Sequence, residues 1–187
     1  MRLFLAINLP DDERAAIDAA AAPLREATSA VSWTKPALMH VTLKFLGEQD
    51  DAQAARIAER LGAVTAAHRP VPLEIDGFGA FPSWRAPKVV WVGIADEPKL
   101  ELLHHDVESE CAALGFELEG RPFRPHVTIG RVRKPIPSPE AKALAAAARA
   151  VAFRTEVIAS SVDLMRSTLA PGGSRYDIVA ALPLRGD

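Results

Sequence analysis

Cysteine is nearly absent: Cys111 stands alone, so no internal disulfide framework can form, and a reducing compartment is the expected setting. No uninterrupted apolar run approaches the roughly 18 residues that a membrane-spanning helix needs. The apolar start, Met1 to Pro10, is short, broken by Asn8 and followed by Asp11-Asp12-Glu13, which reads as a strand running into a helix cap rather than a secretory signal. A soluble, cytoplasmic protein is expected. A large excess of either charge is lacking too. The formal net charge is −2, which excludes a global basic field, so an anionic ligand must be drawn by a local patch. What remains, 187 residues of which 49% are apolar and 25% charged, suffices for one sizeable core. Cys111 lies in an apolar helical stretch and reads as a small core residue.

The elements follow an order that occurs twice. Residues 2–9 read as a strand, and Asp11 or Asp12 caps an alanine-rich helix to about Ala27. A strand at 40–46, closed by Gly47, precedes a helix at 51–67 whose apolar face carries Ile57 and Leu61, then a strand at 71–80. The order restarts with a strand at 88–94, a helix from Pro98 to Leu114, a strand at 126–132 and a helix at 138–150. Two last strands, about 153–168 and 175–184, are joined by a Pro171-Gly172-Gly173 turn. Leu3 matches Val89, Asp12 matches Pro98 and His40 matches His126, each 86 positions apart. This layout predicts one domain made of two pseudo-repeat halves, about 1–82 and 87–187, whose lobes face each other about a pseudo-twofold axis and share a cleft.

The matching strands carry the chemistry: His40-Val41-Thr42-Leu43 and His126-Val127-Thr128-Ile129. Strand side chains alternate between faces, so each strand offers an imidazole and a hydroxyl to the cleft and buries an aliphatic pair. Imidazole titrates near neutral pH, so one ring can start neutral and the other protonated. Displacement at a phosphodiester needs such a base and acid on opposite sides of phosphorus. Thr42 and Thr128 can donate to the non-bridging oxygens where charge concentrates. A metal site is the competing use of paired histidines, but no carboxylate alternates with these motifs. His104 and His105 are adjacent on a helix, which is poor chelate geometry, and they and His68 read as surface or capping residues.

With its paired His-x-Thr-x motifs the sequence resembles the two-histidine phosphoesterase superfamily, and within it the bacterial and archaeal RNA 2′,3′-cyclic phosphodiesterases, once called 2′-5′ RNA ligases. The matching segments are Arg2 to Ile7, Trp33 to Gly47, Arg121 to Arg131, and Leu164-Met165-Arg166-Ser167 to Tyr176. The resemblance implies a bilobal α+β fold, two antiparallel sheet lobes with outer helices around a central cleft. It implies hydrolysis of RNA 2′,3′-cyclic phosphate ends to 2′-phosphates without metal or cofactor. His40 would protonate the leaving 3′ oxygen and His126 would activate water, an order the near-symmetric motifs do not fix by themselves.

Arg131 matches an arginine of that family. Strict alternation from His126 would send it to the opposite face, unless Gly130 permits a bulge. Lys44 shares the face of His40 and Thr42 by alternation, and both cations are candidate phosphate contacts. Trp33, Phe45 and Phe123 are candidate stacking surfaces, with Phe123 the substrate-binding choice and Phe45, by parity, expected in the core. A monomer is expected, since both half-sites lie in one chain, with RNA as the partner and neither membrane nor protein partner indicated. Alternatives are 2′-5′ ligation, an esterase for another cyclic or 2′-5′-linked nucleotide, and a non-enzymatic module that binds RNA ends. Binding alone would favour Arg and Lys over paired imidazoles.

Overall fold

Strand β1 (Arg2–Asn8) is apolar on both faces, and Leu3 through Ile7 are all buried, which makes it a central strand. It pairs antiparallel with β3 (His40–Glu48) on one side and β8 (Ser161–Ala170) on the other. The computed structural model describes residues 1–171 and 173–186, so Gly172 of the expected turn lies outside the described residues. The other strands are β2 (Val31–Trp33), β4 (Val71–Phe81), β5 (Val89–Ile94), β6 (His126–Val132), β7 (Arg154–Ala159) and β9 (Gly173–Pro183). Among the described residues they form one nine-stranded sheet in the order β7-β4-β5-β6-β3-β1-β8-β9, with β2 added to β6.

The two lobes are the halves of this curled antiparallel sheet, joined at its centre by the pair Val41 and Val127 between β3 and β6. They arise by exchange. Strand β4 of the first sequence half lies between β5 and β7, while β8 and β9 of the second half extend the β3–β1 ladder. Only Ser160 links β7 to β8, strands far apart in the ladder, so the sheet must curl until their ends meet. The helices are α1 (Asp11–Ala20), α2 (Ala22–Ala27), α3 (Asp51–Ala66), α4 (Pro98–Ala113) and α5 (Ser138–Ala150). Helix α3 packs on α4 and β9, and α5 on α2 and β4. Their buried stripes, with Ile57, Leu61, Leu100, Leu103, Val107 and Leu144 fully enclosed, make the core. Each such side chain contributes roughly 1.5–3 kcal/mol by leaving water. Among the described residues no helix is long and apolar enough to cross a membrane.

Four local expectations are corrected. The helix expected from Asp11 to Ala27 is two helices, because Pro23 lacks the N–H and has a ring that clashes with the preceding turn; it sits in the first turn of α2 instead. Pro10 holds the N-cap position of α1, and Asp11, Asp12 and Glu13 fill its first turn, where their charge favours the helix dipole. Gly47 does not end β3; with φ of 71° it sits inside the strand, where the ladder to β1 shifts register. The strand expected at 153–168 is broken at Ser160. Cys111 is buried in α4, and burial pushes its thiol up to about 12, far from a nucleophile's range.

Candidate active site

Positions 40–45 and 126–131 repeat one burial pattern: half-buried, buried, half-buried, buried, buried, exposed. Two successive buried residues break the alternation, and a β-bulge explains both cases. Opposite β1, Lys44 pairs with Leu5 and Thr42 with Ala6, so Leu43 has no opposite number. Opposite β5, Gly130 pairs with Val90 and Thr128 with Trp91, so Ile129 has none. Each bulge turns the next residue, Lys44 or Gly130, to the back of the sheet and the one after, Phe45 or Arg131, into the cleft.

Before the bulges alternation holds. His40, Thr42 and Thr128 line a cavity of about 300 Å³, together with Arg2, Phe4, Thr34, Leu38, Phe45, Arg131, Ser167 and Tyr176. His126 stands beside it. The antiparallel pair Val41 and Val127 sets Thr42 level with His126 and His40 level with Thr128, as a twofold relation demands.

The two imidazoles are seated alike. Each Nδ1 meets the carbonyl two residues upstream, Leu38 at 2.8 Å from His40 and Arg124 at 2.7 Å from His126. A carbonyl only accepts, so Nδ1 carries the proton and the neutral ring keeps its lone pair on Nε2. His40 Nε2 lies 3.1 Å from Thr42 Oγ1. Each ring also stands edge-on to an aromatic wall, His40 at 5.4 Å from Tyr176 and His126 at 5.0 Å from Phe81. Burial lowers both imidazole pKa values, against the raising effect of the two carbonyl bonds. The Arg131 charge lowers both further, and Arg14 and His126 add to the lowering at His40. One guanidinium therefore acts on both rings.

Several expectations about the surroundings are corrected. Lys44 is 7% exposed and does not reach the cleft; it is paired with Glu108 behind the sheet. Phe45 is not in the core but 71% exposed on the cleft face. Phe123 lies flat on His104, ring centroids 3.8 Å apart, away from the cavity, and Trp33 packs over Gly130. His104 and His68 are half-buried beside acidic side chains rather than fully at the surface, His68 bonding Asp106 at 2.9 Å. Arg2, Thr34, Ser167 and Tyr176 line the cavity without having been singled out. Arg2 and Tyr176 face it because both pair with Ser167, a register no single strand discloses.

A sequence profile of the 2′-5′ RNA ligase superfamily matches residues 10–169, which include both His-x-Thr strands. The chain belongs to that superfamily. Among its relatives is an RNA 2′,3′-cyclic phosphodiesterase of Archaeoglobus fulgidus, 38% identical over 140 residues that cover 73% of this chain and 76% of the relative. Another of the same name, from Methanothermobacter thermautotrophicus, is 30% identical over 176 residues, covering 94% and 95%. The fold agrees with solved structures: TT0787 of Thermus thermophilus superposes with a TM-score of 0.80 at 28% identity over 100% of both chains. E. coli LigT complexed with 3′-AMP superposes with a TM-score of 0.76 at 26% identity, covering 98% of this chain and 97% of LigT.

Proposed function

We propose that this chain hydrolyses 2′,3′-cyclic phosphate ends of RNA to 2′-phosphomonoesters, with His40 as acid, His126 as base and no metal required. The observation that carries the reading is the pair of imidazoles on matching strands, each with Nδ1 tied to a carbonyl so that Nε2 is the nitrogen available for proton transfer, that of His40 beside the Thr42 hydroxyl. The relatives named RNA 2′,3′-cyclic phosphodiesterase support the substrate class.

The aromatic residues support the order of the two histidines. Phe4, Phe45 and Tyr176 form a floor on the β3–β1–β8–β9 lobe, which carries His40; at the place equivalent to Phe45 the other lobe has Arg131. A base stacks on the aromatic floor, which brings its ribose to His40. Neutral His126 Nε2 takes a proton from water as the water oxygen bonds to phosphorus. The bond from phosphorus to the 3′ oxygen breaks on the far side, and that oxygen takes the proton of His40. The 2′-phosphomonoester leaves, and proton exchange with solvent restores both rings. Arg131, Thr42 and Thr128 bind the non-bridging oxygens, where pre-oriented donors typically lower a barrier by about 3 kcal/mol each. Both histidines come from one chain, so the active unit is a monomer, at work in the cytoplasm.

The test is incubation of the purified protein, in EDTA, with a short RNA ending in a 2′,3′-cyclic phosphate. A 3′-phosphate-specific phosphatase and mass spectrometry then locate the product phosphate. A 2′-phosphate supports the reading. A 3′-phosphate reverses which oxygen leaves, joined RNA ends favour ligation, and no turnover by folded protein removes the activity.

A further inference from the structure

The crossovers that lead into the two histidines are fastened differently. The first, residues 28–39, is held by its backbone: β2 pairs with β6, Trp33 opposite Gly130, and the Thr34 N–H donates to the Ile129 carbonyl at 2.9 Å. A Cβ at Gly130 would lie 2.5 Å from Val31 Cγ1, so glycine is what admits this crossover. The second, residues 114–125, contains no helix or strand.

The equivalent of Gly130 in the other half is Lys44, turned to the back of the sheet by its own bulge. Its buried ammonium donates to both Glu108 oxygens, at 2.8 and 2.9 Å, and to the Glu117 carbonyl at 2.8 Å. Glu108 in turn accepts the Glu119 N–H at 3.2 Å. One turn earlier on α4, His104 lies 4.0 Å from Glu108 and stacks on Phe123, the rings 7° from parallel. The residue after Phe123 is Arg124, whose carbonyl holds His126 Nδ1. A buried ion pair is a weak source of stability, because desolvating two ions offsets most of their attraction. What this pair supplies is geometric: two hydrogen bonds that end on the crossover.

We propose that Lys44 and Glu108 are positioning residues for His126, fixing the 114–125 crossover and thereby the direction in which the imidazole faces. They act through the backbone and touch no substrate. The inference rests on His126 as the base.

The test is the double variant Lys44→Met/Glu108→Leu, which leaves no lone charge in the core. Melting temperature, kcat, KM and the ¹⁵N signal of His126 Nδ1 without substrate are measured. A folded double variant is expected to lose about 10-fold in kcat with KM within twofold, and to lose the protonated Nδ1 signal. The acid limb of kcat/KM should move to lower pH, because the carbonyl bond that raises the His126 pKa is loosened. Arg131 and His40, the charged and titratable groups around His126, stay unchanged. Wild-type kcat with an intact Nδ1 signal would overturn the proposal. If the double variant does not fold, Phe123→Ala is read the same way, with the same two outcomes. A lost Nδ1 signal with undiminished turnover would support the positioning and refute His126 as the base.

Discussion

Phe45 and Arg131 occupy the same place in the two halves of the molecule, each turned into the cleft by a bulge two residues before it. A near-symmetric scaffold thus becomes directional through one pair of unlike side chains, a ring where a base can lie and a cation where a phosphate can. The histidines share the Nδ1 bond to the carbonyl two residues upstream, so these unlike neighbours are one source of direction.

Phe45→Ala should lower kcat/KM for a cyclic-phosphate dinucleotide by roughly 5- to 150-fold, the range of about 1–3 kcal/mol for one stacked base. Most of the loss belongs in KM, which steady-state kinetics reads directly. An unchanged KM would remove the base from this ring.

The Arg131 charge is expected to bear on the pH range of the proposed reaction. In the proposed mechanism kcat/KM needs neutral His126 and protonated His40, and both pKa values are lowered by burial first and by the Arg131 charge among the lesser causes. The bell-shaped profile should therefore centre on the acid side of pH 6.5. Arg131→Met should move both limbs to higher pH and reduce kcat by about 10²-fold, the loss typical of one oxyanion donor. Limbs that stay in place would show that this charge does not act on the imidazoles.

His40→Ala and His126→Ala should each cost at least about 10²-fold in turnover, the usual size of an acid–base contribution. Thr42→Val and Thr128→Val should cost less, measured in the same single-turnover assay. Near-wild-type rates in either histidine variant would end the assignment.

The lowered histidines also tie stability to pH. His40, His104 and His126 resist protonation in the folded chain, so below about pH 6.5 the unfolded chain binds more protons at these positions and stability falls as pH falls. The loss is complete once pH drops below the folded values. Melting temperature followed from pH 7.5 down to 5 should decline, and His104→Gln should flatten the decline. An equal slope in the variant would show that His104 takes up its proton without cost to the fold.

Alternation along two strands was enough to place His40, Thr42, His126 and Thr128 on one side, because those residues precede the bulges. Beyond them the same rule fails: Lys44 and Phe45 change places because Leu43 is skipped in the ladder, and a bulge belongs to the pairing of two strands rather than to either one. At Arg131 the glycine before it gave a local cue to the irregularity. Pro23 was readable as a helix break. The break at Ser160, between two β-rich stretches, had no such mark. Nor could the exchange of β4 and β8 between lobes be read, since partner choice depends on the packing of all layers at once. Tyr176 enters the site only through that exchange.

In the proposed reaction His40 protonates the leaving ribose oxygen while His126 activates water. The direct measurement is single-turnover opening of an RNA end whose 3′ bridging oxygen in the cyclic phosphate is replaced by sulfur, since a thiolate leaves without a proton. His40→Ala should open this substrate at close to the wild-type rate, and His126→Ala should remain at least about 10²-fold slower. Restoration of His126→Ala instead, with His40→Ala still slow, would exchange the two roles.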